Sequence, residues 1–177
     1  MDLNDLLMRE MSRAHTDFVV NIVLQDNTLF DELWQLFLHG SDPVNRRAAW
    51  VIDYVTEARP ELLLPHIQEL TEALDGFGHD GLVRHSLRMI ARSAITDEIA
   101  GKLTDFCFRV LLLKEMAIAP KIFAMDILYS ISEREPALKR ELADSIAYRL
   151  DEGTPGYKNH ALKLLQMLYK EIDAGKI

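Results

Sequence analysis

The sequence predicts an all-α fold assembled from a repeated helical hairpin, and three observations carry that prediction. Four segments align without a gap: RAAWVIDYV from Arg47, HSLRMIARS from His85, FAMDILYSI from Phe123 and HALKLLQML from His160, at spacings of 38, 38 and 37 residues. Self-similarity at a nearly fixed interval of this length marks a repeat architecture. Each segment also carries a small residue (Ala48, Ser86, Ala124, Ala161) followed at i+1 and i+4 by apolar ones: Ala49 and Ile52, Leu87 and Ile90, Met125 and Leu128, Leu162 and Leu165. A small side chain lets two helices approach, and larger ones a turn apart on the same face fill the space around it. Finally, no segment alternates polar and apolar residues over a useful strand length.

Taken in order, Leu3, Leu7, Met11, Ala14, Phe18 and Ile22 fall at spacings of three or four and predict one helical face across residues 2–26, in one helix or two broken near Ser12 to Thr16. This stretch is out of register with the later repeats, as the cap of a repeat array is. Asn27 and Thr28 offer a helix cap before LFDELWQLFLHG, whose Gly40 is a stop, and Ser41-Asp42-Pro43 supplies the next cap with a first-turn proline. Arg59-Pro60 marks a break before a helix over about 61–74. The linker DGFGHDG, Asp75 to Gly81, joins two helices, so its glycines read as turn residues and not as a phosphate cradle. Helices near 81–93, 96–113, 119–134, 136–151 and 155–172 follow, divided at Thr96-Asp97, Glu135-Pro136 and Asp151 to Pro155. The expected organisation is a single domain over 1–177, with an N-terminal cap over 1–27 and repeats at about 28–58, 59–93, 94–134 and 135–177.

The start SDPVNRRAAW, following a helix that ends in an apolar run, resembles the HEAT repeat. Pro65 in LLLPHIQEL resembles the proline that kinks the first helix of a HEAT hairpin. The resemblance covers residues 28–172 and is closest in the first repeat; later, Gly78-His79-Asp80 and Ala119-Pro120 replace Ser-Asp-Pro, and Phe123 stands where the first repeat has Arg47. It implies a right-handed α-α superhelix, a HEAT/armadillo-like solenoid of about four hairpins plus the N-terminal cap, with the second helix of each hairpin lining the concave surface. The whole chain also resembles small bacterial HEAT-repeat proteins, some labelled adenylosuccinate lyase. Nothing in it resembles the mobile serine-bearing loop of that enzyme.

Composition narrows the function classes. With 177 residues, 49% hydrophobic and 27% charged, the chain supplies one globular core. No run approaches 18 apolar residues, and MDLNDLLMREM is acidic and amphipathic without a basic flank, so no membrane association and a cytoplasmic location are expected. Cys107, the single cysteine, sits between Phe106 and Phe108 in a helical pattern and reads as a buried structural thiol. The net charge of −8 argues against nucleic acid as the main partner. The charge is unevenly placed. Over the second helices (41–57, 79–93, 118–134, 154–172) ten Lys and Arg face seven Asp and Glu; over the first helices (28–40, 60–76, 96–116, 135–153) six face fifteen.

The function these features imply is a non-catalytic interaction module whose mildly basic concave face takes a protein or an acidic peptide. Candidate contact residues are Arg47, Trp50, Tyr54, Arg84, Arg88 and Tyr129, each equally able to serve packing. One residue per repeat, Trp50, Arg88, Asp126 and Lys163, stands between the two core positions of a second helix. Arg88, Asp126 and Lys163 alternate in sign and are expected to form a structural ladder between repeats, with Trp50 beside Arg88. No cofactor or metal is expected, because His15, His39, His66, His79, His85 and His160 give no compact ligand set on one helix. No catalytic residue is assigned. HEAT-like DNA glycosylases present aromatic residues and an acid on a basic concave surface, parts that Trp50, Asp53 and Tyr54 would have to play here; that remains the catalytic alternative. The last helix, with Leu162, Leu164, Leu165, Met167, Leu168, Tyr169 and Ile172 around much of its circumference, suggests a homodimer contact.

Overall fold

Apolar positions at helical spacing fold as expected into helices alone: the computed structural model, which describes residues 2–175, contains ten α-helices joined by turns and short 3-10 segments, and no strand among the described residues. The chain divides into two compact units, one running to Met89 and the other beginning at Ile90.

In the first unit, α1 (Leu3–Met8) is capped by the Asp2 carboxylate, which accepts from the Asn4 and Asp5 amides. Residues 9–12 leave the helix, and α2 (Arg13–Gln25) restarts under a Ser12 cap that accepts from His15 N at 3.1 Å. The interruption resets the helical phase. Leu3 and Leu7 are buried as the spacing predicts, but Met11 and Phe18 are 63% and 53% exposed, and Val19, Val20 and Val23 face the core instead. The break falls at residues 9–12, just before the Ser12 to Thr16 stretch where one was allowed for, and four non-helical residues do not carry the helical phase of the expected face across it.

Capping of α3 (Leu29–His39) also differs from expectation. Thr28 makes no side-chain cap; Asp26 Oδ1 accepts from both Thr28 N (3.1 Å) and its hydroxyl (2.6 Å). This helix buries Phe30, Leu33, Trp34 and Phe37. Gly40 ends it where an added Cβ would lie 2.3 Å from the Leu36 carbonyl oxygen. Then α4 (Val44–Ala58) turns Ala48, Ala49, Ile52 and Asp53 inward. The helix expected over 61–74 is broken into 3-10 turns at Pro60–Leu62 and Leu64–His66, then α5 (Ile67–Ala73) and a turn at Leu74–Gly76. Pro65 lacks an amide hydrogen and its ring would strike the carbonyl four residues back, so an α-ladder cannot run through it. After the glycine turn, where Phe77 packs 5.4 Å from the Phe37 ring, α6 (Asp80–Ala91) begins with Gly81 N donating to His79 Nδ1 at 2.9 Å.

The second unit contains α7 (Asp97–Leu112), α8 (Ile118–Ser132), α9 (Leu138–Arg149) and α10 (Pro155–Asp173). Cys107 is fully buried, and burial pushes its thiol pKa far up, which keeps it protonated and unreactive. Tyr157 is buried beneath Gly153, where an added Cβ would fall 1.9 Å from the ring. Across the aligned helices the small-residue column Ala48, Ser86, Ala124 and Ala161 is 0% exposed throughout. The adjoining column is equally buried at Ala49, Leu87 and Met125 but 44% exposed at Leu162, since α10 packs through Tyr157, Ala161, Leu164, Leu165, Leu168 and Ile172.

Candidate functional site

Charged residues at helical spacing build one polar centre in the first unit. Asp53 and Glu57 lie one turn apart on α4, and His85 and Arg88 three apart on α6. Asp53 is 0% exposed, and a carboxylate taken that far from water requires partners. His85 Nδ1 donates to Asp53 Oδ2 at 2.7 Å, Arg88 Nη1 lies 2.9 Å from the same oxygen, and Arg88 Nη2 donates to Glu57 at 2.7 Å. Burial pulls the Arg88 pKa down, but the bonds to Asp53 and Glu57 outweigh it and hold the guanidinium above its ordinary value.

Around this centre the aromatic ring of Tyr54 lies between two guanidinium groups, Arg13 at 4.2 Å and Arg88 at 5.3 Å from its centroid. Arg13 also donates to the Tyr54 hydroxyl at 3.0 Å and to Asp17 at 2.8 Å. Arg84, exposed one turn before Arg88, makes no hydrogen bond or ion pair among the described residues. Tyr54, Arg84 and Arg88 thus share a surface with Arg13, which sequence reasoning missed because it belongs to the cap and not to a repeat.

Arg47 and Trp50 serve a different neighbourhood. Arg47 donates to the Leu7 carbonyl at 2.8 Å, and His15 Nε2 to the Leu6 carbonyl at 2.8 Å, so both hold the last carbonyls of α1. The Arg47 Nε and Trp50 Nε1 atoms are buried without a partner beside a crevice of about 10 Å³, room for one water. Asp53, sealed and neutralised, is not presented to a ligand, so Trp50, Asp53 and Tyr54 do not compose the open acid-and-aromatic surface that a glycosylase reading requires.

In the second unit, the Tyr129 hydroxyl donates to Glu171 at 2.8 Å, and Lys139, 5% exposed, donates to the other Glu171 oxygen at 2.7 Å. Burial first, then the neighbouring Glu171 carboxylate, push the tyrosine pKa up to about 12. Asp126 pairs with His160 Nε2 at 2.7 Å, and Lys163 is exposed on α10. Histidine partners for both acids, the buried Asp53 and the part-exposed Asp126, were missed in the sequence, although a signal existed: His85 and His160 occupy the same, first position of their aligned helices. Among the described residues no group of three or more His, Cys, Asp and Glu is placed to hold a metal ion, and no helix is long and apolar enough to cross a membrane.

Helical hairpins recurring at a fixed interval, with a buried small-residue column and ion pairs bridging successive second helices, define a helical-repeat protein. The chain belongs to the HEAT repeat domain family, whose model matches residues 3–166. No curated protein and no solved structure gives a significant match.

Proposed function

We propose that this protein is a non-catalytic interaction module of the cytoplasm that takes a protein or acidic peptide partner through Arg84, Arg88, Tyr54 and Arg13. The observation that supports this most is the arginine–tyrosine–arginine stack: two desolvation-tolerant cations hold an aromatic ring in one orientation, and Arg84 adds an uncommitted guanidinium one turn away. The carboxylates on the outer side of the stack, Asp17 and Glu57, are 47% and 44% exposed, so a partner's carboxylates can exchange with them at little cost. Helical repeats commonly offer such a surface to a chain of opposite charge.

Arg88 is a poor residue to test, because it also neutralises Asp53. The informative variant is Arg84→Glu, compared with wild type in affinity capture from the native cytoplasm and then in titration against the captured partner at 50 and 200 mM salt. Loss of an acidic protein, with wild-type affinity falling as salt rises, supports the reading. Capture of nucleic acid would favour a nucleic-acid-binding module instead, and a partner that binds the variant equally well places the surface elsewhere. A second copy is a further candidate partner, because Leu162, Met167 and Tyr169 of α10 are 44%, 46% and 40% exposed. A monomer mass in light scattering at every accessible concentration would remove it.

A further inference from the structure

Unsatisfied polar groups in the second unit gather in one place. A crevice of about 280 Å³ opens between Lys114 and Met116 of the loop before α8, Lys121 of α8, Arg149 and Glu152 at the end of α9, and Tyr157 of α10. Tyr157 is 1% exposed, and its buried hydroxyl has no hydrogen-bond partner. Arg149 commits Nη1 to Glu152 and Nη2 to the Leu112 carbonyl, leaving its buried Nε unpaired. Lys121 is 4% exposed and makes no hydrogen bond or ion pair among the described residues. A buried ammonium normally finds a carboxylate or loses its proton. Burial, then the Arg149 charge, do push its pKa below the ordinary lysine value, against the opposite pull of Glu152 and Glu115.

The charges around the crevice do not balance. Among the described residues that line the wall, Lys114, Lys121 and Arg149 are cationic and Glu152 is the one acid, with Glu115 acting on Lys121 from outside the lining. Over the lining residues the surplus is two positive charges, and three of those residues, Lys121, Arg149 and Tyr157, carry donors without partners. We propose that this crevice binds a small divalent oxyanion of the phosphate class, held by Lys121 Nζ, the Tyr157 hydroxyl and Arg149 Nε, with Lys114 at the mouth. A dianion cancels the surplus, where a carboxylate would leave half of it. Burial and the Glu152 carboxylate push the Tyr157 pKa up, so its hydroxyl stays a donor at neutral pH. Ile118, the first residue of α8, lines the same crevice, so the positive end of that helix faces the anion as well. The volume leaves room for an ester substituent. The site is independent of the surface proposed for the first unit.

The test uses the full chain, titrated with inorganic phosphate against sodium chloride of matched ionic strength, read by calorimetry and by thermal unfolding. A saturable rise in Tm with phosphate and not with chloride is expected, and Lys121→Met should weaken phosphate binding by about tenfold or more, the loss of one charge-assisted hydrogen bond. In chloride at pH 7 the same variant should unfold no earlier than wild type, because it removes a buried, unpaired cation. That advantage should shrink as pH rises through the lowered pKa of Lys121, where the wild-type amine sheds its proton. Should Lys121→Met fail to fold, Tyr157→Phe and Lys114→Ala each test the same site. Phenyl phosphate binding more tightly than inorganic phosphate identifies an ester as the natural occupant; tighter inorganic phosphate identifies the free ion. No saturable phosphate effect, equal binding of acetate, or phosphate binding unchanged in the variants would overturn the assignment.

Discussion

Two histidine–aspartate pairs in this molecule have the same 2.7 Å length and opposite surroundings. The side chains of Asp53 and His85 are 1% and 10% exposed; those of Asp126 and His160 are 39% and 37% exposed. The first pair recruits a further cation, Arg88, and through it Glu57, whereas among the described residues the second recruits none. The difference shows what burial demands: a carboxylate with no access to water needs full compensation, and one that retains water needs only a neighbour. Between these extremes lies the Lys139–Glu171–Tyr129 group, with Lys139 and Glu171 side chains 6% and 20% exposed.

The comparison predicts a ranking of stabilities. Arg88→Met, which strips the second cation from Asp53, should cost about 3–5 kcal/mol in urea unfolding, the penalty of stranding a buried charge. Adding Asp53→Asn to that variant should recover part of the loss, because the stranded charge goes too. A cost below about 1 kcal/mol for Arg88→Met would mean that His85 alone suffices and that burial is not what separates the two pairs. Lys139→Met should fall between the extremes, at about 1–3 kcal/mol, since Glu171 keeps the Tyr129 hydroxyl and some water. If it matched Arg88→Met, the intermediate exposure of Glu171 would count for nothing and the ranking would fail.

Most of the architecture was legible in the sequence, and the site was legible only in part, for one physical reason. Packing repeats with the fold, so the 38-residue interval and the column Ala48, Ser86, Ala124 and Ala161 announce themselves as a pattern. Ion pairs do not repeat. Asp53 stands at the seventh position of its aligned helix and Asp126 at the fourth, yet each is met by a histidine from the first position of a following one, because one turn of helix separates four from seven and brings both to the same face. The column Arg88, Asp126, Lys163 rests on position alone, whereas the ion pairs take Arg88 to Asp53 and Glu57, and Asp126 to His160. A break near Ser12 was legible but its effect on phase was not: the exposure of Met11 and Phe18 follows from four residues outside any helix, which no periodicity within a helix can foretell.

The smallest effect tests the exposed pair and carries a sign. Burial raises the Asp126 pKa by more than the His160 charge and hydrogen bond lower it, so its folded value lies above the unfolded one. A carboxyl group shifted that way costs stability above its folded pKa, and the cost is relieved as pH falls through that value. Asp126→Asn removes the ionisation altogether. At pH 7 the variant should therefore lie within about 1 kcal/mol of wild type, the discount proper to a pair more than a third exposed. On acidification toward pH 4 the difference should move in favour of wild type, the reverse of the drift expected when a carboxylate is stabilised by its partner. Urea midpoints of both proteins measured across that range decide the matter: a variant that is about 2 kcal/mol weaker at pH 7 and recovers as the pH falls would show that His160 holds Asp126 as an ion pair despite the water, and exposure would no longer explain why the two pairs differ.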